Sequence, residues 1–178
     1  PILSGAAGLT LSDSADVGSS GGSVTVTAGT GALAMSIDTV IDAGAGLLSL
    51  SATGALSLGT VRTTNSGNLT LSAASVSGVA DGNVDIIAPN ATLIVRTATG
   101  FGSSTNPIEI QVATMDMWNT GSTGAIVVQE SDNLVVKSVQ QSATGTSDGV
   151  EIRTLDGDIR SEEHTSELQS RQYLVCRL

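Results

Sequence analysis

Gly67-Asn68-Leu69-Thr70-Leu71 is the stretch that decides the fold: a glycine, then apolar side chains alternating with small polar ones. Alternation with a period of two places Leu69 and Leu71 on one face of a strand and Asn68 and Thr70 on the other, which predicts a half-buried β-strand. The glycine in front permits the tight bend by which the chain enters it. The same pulse recurs in both directions. Upstream it reads Gly8-Leu9-Thr10-Leu11, Gly22-Ser23-Val24-Thr25-Val26 and Leu48-Ser49-Leu50. Downstream it reads Gly82-Asn83-Val84-Asp85-Ile86, Gly124-Ala125-Ile126-Val127-Val128 and Gly149-Val150-Glu151-Ile152.

The first core residues of successive pulses are spaced 15, 24, 21, 15, 42 and 24 residues apart, from Leu9 to Val150. The value 42 is twice 21, which predicts a coil without a clear opener whose strands include Ile108, Ile110, Val112, Met115 and Met117. Second and third strands fit inside the coils at Leu33–Ile37, Leu56–Leu58, Leu93–Val95 and Leu134–Val136. A quasi-period in the low twenties without a helical pattern between pulses predicts a solenoid. The fold class is therefore all-β, a parallel β-solenoid over residues 1–159. A sandwich or hairpin array would want a hairpin turn between each strand pair. Asp81-Gly82, Asp148-Gly149 and Asp156-Gly157 are such dipeptides, but the first two directly precede a glycine-led pulse and fit corner turns equally well. At roughly 4.8 Å per rung, about seven coils make a rod on the order of 35 Å long. Its two ends would present unpaired strand edges, so residues 1–159 alone are expected to aggregate.

Composition changes abruptly after Ile159. The single His164, Tyr173 and Cys176 all lie beyond it. Back-translated, Arg160 to Ser170 and then Arg171 to Leu178 resemble, in one frame, the constant segments of a short-read sequencing adapter on either side of an index. Residues 160–178 are therefore expected to be a non-native tail without a function of its own. As protein, Ser161 and Glu163 would cap a short helix carrying Glu167, Leu168 and Tyr173. Pro1 is no initiator methionine and no signal-like segment follows it, so the chain is expected to begin inside a longer protein.

The tail holds three basic and three acidic residues, which leaves 1–159 with four basic (Arg62, Arg96, Lys137, Arg153) and fourteen acidic ones, still at net −10. Such a surface repels nucleic-acid phosphates and anionic membranes. Without Cys there is no disulfide framework or thiolate nucleophile, and without His the commonest general base and metal ligand are missing. No apolar run approaches the roughly 18 residues of a membrane span.

On this background no residue is assigned a catalytic, cofactor-binding or metal-binding role. Asp148, Asp156 and Asp158, or Asp13 and Asp16, would suit Ca²⁺, but the Gly-Gly-x-Gly-x-Asp repeat and the EF-hand loop are missing and solvated turn carboxylates are the better account. Asp156 with Asp158, or Asp116 with Glu130, would suit glycoside chemistry, which also wants a shaped groove and aromatic sugar platforms. Thr25/Thr27 and Thr97/Thr99 would suit a flat water-ordering array, but their spacing does not recur coil after coil in the sequence, and β-propensity explains them. Asn68-Leu69-Thr70 and Asn90-Ala91-Thr92 match the glycosylation sequon. Trp118 is either an exposed contact or a cap on the apolar interior. Asn106-Pro107 is read as a corner device.

The segment Gly100-Phe101-Gly102-Ser103-Ser104-Thr105-Asn106-Pro107-Ile108-Glu109-Ile110-Gln111-Val112, followed by Gly124 to Val128 and Leu134 to Val136, resembles a recurrent element of filamentous haemagglutinin-like and autotransporter-adhesin-like bacterial exoproteins. In that element a Gly-aliphatic-Gly turn and an Asn-Pro-aliphatic corner precede a strand; Phe101 departs mildly from the aliphatic residue. The resemblance implies a right-handed β-helix, passage through outer-membrane export machinery, and an extracellular or cell-surface location. The lack of Cys suits transit through a pore as an unfolded chain. The expected role is a stiff structural or adhesive rod with an unknown surface ligand, such as a host or matrix glycan. The alternative is a β-helical polysaccharide lyase or hydrolase.

Overall fold

The computed structural model describes residues 1–12, 15–162 and the backbone of 174–176. Among these there is no helix; the chain winds as a parallel β-solenoid of about seven turns. The first coil comprises β1 (Ile2–Gly5), β2 (Leu9–Leu11) and β3 (Val17–Gly18). The second comprises β4 (Val24–Ala28), β5 (Leu33–Met35) and β6 (Val40–Asp42), and the third β7 (Leu48–Ala52), β8 (Leu56–Leu58) and β9 (Thr60–Arg62). The fourth opens with β10 (Asn68–Ser72) and β11 (Val76–Gly78). From there strands run round corners. β12 (Ile86–Thr97) closes the fourth coil and opens the fifth, and β13 (Ile108–Asn119) links the fifth to the sixth. β14 (Ile126–Glu130), β15 (Leu134–Gln141) and β16 (Val150–Thr154) complete the sixth and seventh. β17 (Ile159–Ser161) starts the next rung, and β18 (Leu174–Cys176) lies antiparallel to β16.

Every strand pair except β16–β18 is parallel, and the pairs form three faces. The first face stacks β1, β4, β7, β10, the second half of β12, the second half of β13, β15 and β17. The second stacks β2, β5, β8 and β11, then Phe101, Ile126 and Val150. The third stacks β3, β6, β9, the first halves of β12 and β13, and the ends of β14 and β16. The expected solenoid is thus observed, but the pulses belong to different faces. Val24, Leu48 and Leu69 lie on the first, whereas Leu9, Ile126 and Val150 lie on the second. The irregular spacings of 15 and 42 come from counting across faces. Leu93 and Leu134 open first-face strands rather than serving as second or third strands of their coils.

Side chains pointing inward pack in rows along the axis. Val26, Leu50, Leu71, Val95 and Met117 form one row, and Leu33, Leu56, Val76, Phe101 and Ile126 another; all are buried. One coil cannot cover its own apolar face, so each rung supplies the wall against which the next is buried. Burying each such side chain contributes about 1.5–3 kcal/mol. Phe101, with no exposed surface, fills the interior of the second face with a volume that its aliphatic neighbours do not have.

Corners are held by glycine and by side chains reaching one rung back. A Cβ on Gly31 would overlap the carbonyl of Ala7 in the rung beneath, and Gly102 sits at φ +71° against Val127 and Ile108. Thr30 Oγ1 donates to Ala6 O (3.2 Å), and Thr53 Oγ1 to Gly29 O (2.7 Å). The Asn106-Pro107 corner is as expected: Asn106 Nδ2 donates to Gly78 O (2.9 Å) and β13 starts at Ile108. Of the tail, 163–173 and 177–178 lie outside the described residues, and with the former the expected helix; β17 spans the expected boundary after Ile159.

Candidate functional site

On the first face two outward rows run the length of the solenoid. One passes through Thr25, Ser49, Thr70, Ile94, Asp116 and Ser138; the other through Thr27, Ser51, Ser72, Arg96, Trp118 and Gln140. The registers correct the expectation for Thr25/Thr27. Hydroxyls do recur at both outward positions through three consecutive coils, as Thr25/Thr27, Ser49/Ser51 and Thr70/Ser72. Thr97/Thr99 is not part of that array. Thr97 is buried at a corner, with Oγ1 3.4 Å from Asn119 Oδ1, and Thr99 Oγ1 donates to Ala74 O (3.0 Å).

From the fifth coil the rows change character. Arg96 Nη1 pairs with Asp116 (3.0 Å) and also donates to the carbonyls of Val95 and Asp116. Trp118 stands next to Arg96 in register and is 42% exposed, so it is a surface residue and not a cap on the interior. Between Val136 and Ser138 the register against β13 slips, because Met115 pairs with Val136 while Asp116 pairs with Ser138. The extra residue is Lys137, exposed and without an ion pair among the described residues. Bulges of this kind re-aim side chains. Arg96, Asp116, Trp118, Lys137 and Gln140 thus share one patch of an otherwise acidic molecule.

Asp116 and Glu130 are not brought together. Asp116 is outside the wall on the first face, whereas Glu130 lies inside on the third, in the row of Ile41, Val61, Ile86 and Ile110. Asp148 accepts from Gly124 N (2.9 Å) and Gly145 N (3.1 Å), Asp156 from Gly157 N (3.0 Å), and Asp158 faces Arg160 at 3.5 Å. Asp16 accepts from Val40 N (2.9 Å), and Asp13 lies outside the described residues. Among the described residues no three acidic, His or Cys side chains are placed to share a cation. Asn68 and Asn90 are exposed, the first on the first face and the second within β12. A shallow groove of about 870 Å³ lies across the second face from Ser103 and Ser104 to Thr144, Ser147, Asp148 and Glu151. Its ionisable lining is Asp148 and Glu151, and Glu151 is paired with Arg153.

Three polar features of the interior were not legible in the sequence. Glu130 is 0% exposed and accepts from the backbone N–H groups of Ser131 (3.0 Å), Val112 (3.3 Å) and Asp132 (3.4 Å). Burial outweighs these donors and pushes its carboxyl up to about 8, so at neutral pH it is mostly protonated. Asp85, 2% exposed, accepts from Glu109 N (3.0 Å); burial, and then the hydrogen-bonded Glu109 carboxyl, raise it as well. At the corner after the first face, Asn119 binds Gly100 N, the carbonyls of Thr123 and Gly124, and Gln141 Oε1 (2.7 Å), while Gln141 Nε2 donates to Gly124 O and Asp148 O. Thr97, Asn119 and Gln141 are in register, so this is a polar ladder climbing three rungs. The available signal was their common position at the ends of first-face strands.

No family model matches the chain, and neither a curated protein nor a solved structure matches it at a significant level.

Proposed function

We propose that this chain is a structural, adhesive-type segment of a large bacterial protein exported to the cell surface or beyond. A stiff stack of rungs holds weak contact points away from the cell. The observation that carries the reading is the continuous parallel stacking through about seven coils, with corners closed rung upon rung. A stack of this kind lengthens without changing width, and repeated weak contacts along it add up through effective concentration. The resemblance of residues 100–136 to filamentous haemagglutinin-like and autotransporter-adhesin-like exoproteins supports export, as does a Cys-free body.

Against the lyase or hydrolase alternative weighs the scatter of carboxylates. The groove on the second face carries two acids, no base and no aromatic side chain, whereas glycoside chemistry asks for converging groups in a shaped cleft. Residues 160–178 take no part in this function, given their likeness to adapter sequence; the parent DNA read tests that boundary. The functional test is retention of the full chain, displayed in many copies on beads, on glycan-coated surfaces, with new reducing ends and unsaturated sugar ends assayed in parallel. Retention without release of sugar ends is expected. Release would replace this reading with the enzymatic one.

A further inference from the structure

The patch around Trp118 combines features that point to a ligand, and it deepens the reading of the rod as a contact surface, on which it rests. The chain's only Trp stands on a flat wall with its ring partly in solvent. Around it are Ser72, Arg96, Asp116, Ser138 and Gln140, with Ile94 one apolar exception. A protein partner wants an apolar core of several side chains, which this wall lacks. One aromatic face among hydrogen-bonding groups suits a sugar ring, whose C–H face lies on the π-surface while its hydroxyls reach the polar neighbours.

Charge narrows the choice. Two of the four basic residues of 1–159 stand here, Arg96 one rung before Trp118 and Lys137 one rung after, in a body at net −10. Asp116 neutralises Arg96, and Glu162, exposed one rung beyond Lys137, makes no ion pair with it among the described residues, which leaves Lys137 as the cation open to a ligand. A single carboxylate would be welcome beside Lys137, while a polyanion would meet the field of the whole rod. We infer that the Arg96–Asp116–Trp118–Lys137 patch binds a saccharide ending in one carboxylate-bearing sugar, with Trp118 as the stacking platform, Asp116 accepting a hydroxyl and Lys137 pairing with the carboxylate.

The single Trp makes the test direct: the full chain is titrated with sialyllactose, lactose and a galacturonate oligomer while Trp118 emission is followed. Saturable change with sialyllactose is expected, with lactose about three- to fivefold weaker and the oligomer no tighter than lactose. No saturable change, equal affinity for lactose, or tighter binding of the polyanion overturns the proposal. Lys137→Gln should erase the preference for sialyllactose over lactose with the circular dichroism unchanged; a retained preference overturns it. Trp118→Ala, followed by saturation-transfer NMR on the sugar, should lose both ligands, and retained binding likewise overturns it. Failure here would leave the bead-retention result standing, so the two readings fail separately.

Discussion

The first face carries one frame and two surfaces. Inside, the row Val26, Leu50, Leu71, Val95 and Met117 is apolar from the second coil to the sixth. Outside, coils two to four present Thr25, Thr27, Ser49, Ser51, Thr70 and Ser72, while coils five to seven present Arg96, Asp116, Trp118, Lys137 and Gln140. Stability resides in the inner rows, common to both halves, and recognition in the outer rows, where the halves diverge. The wall between them lets one change without the other.

The largest test of the common frame is a matched pair of cavities. Leu71→Ala and Met117→Ala each remove a side chain from the same inner row, and each should cost about 2–5 kcal/mol in urea unfolding of the full chain. A much smaller loss at Met117 would mean that the second half is held differently.

Glu130 belongs only to the second half, and its effect depends on pH. The native state keeps this proton up to about 8, while the unfolded chain releases it near the ordinary glutamate value of 4.5. The folded form therefore binds more protons between those limits, and stability falls as pH rises through that window. Glu130→Gln should flatten this slope to the part that Asp85, raised in the same way, leaves, gaining roughly 2–4 kcal/mol over the parent at pH 8 and little below pH 4.5. Parallel stability curves for the two proteins would show that the carboxyl is not held protonated.

Asn119→Ala should cost about 1–3 kcal/mol, because Gly100 N–H and the Gln141 side chain lose buried partners. The smallest effects belong to the outer rows. Thr27→Ala and Trp118→Ala should each shift stability by no more than about 0.5 kcal/mol, and only the second should change sugar binding. A large loss of stability from either would join what the comparison separates.

The strands, their glycine entries and the stacking could be read from the sequence because alternation and close approach leave local marks. Membership of a face could not. Leu9 and Val24 each open the same apolar-Thr-apolar alternation, yet one faces Leu33 and the other Leu48, and backbone pairing tells them apart. The hydroxyl array escaped for the same reason: Thr25 to Ser49 is 24 residues and Ser49 to Thr70 is 21, so a fixed period misses it. Trp118 was more accessible than it looked. With Met115 and Met117 buried, alternation alone sends it outward. Glu130 and Asp85 run the other way, since charged residues are rarely buried and nothing local marks these two as exceptions.

The unequal corners have a consequence for descent. Between one rung and the next the chain advances 24 residues from Val24 to Leu48, 21 from Leu48 to Leu69 and 25 from Phe101 to Ile126, yet the partners still meet. Small insertions and deletions are absorbed in the bends without shifting any row. Unequal crossing-over between coils would therefore yield genes whose products still wind correctly, so length in such a lineage is cheap to gain or lose, and each duplicated coil brings a fresh outer strip on which mutation is free to act.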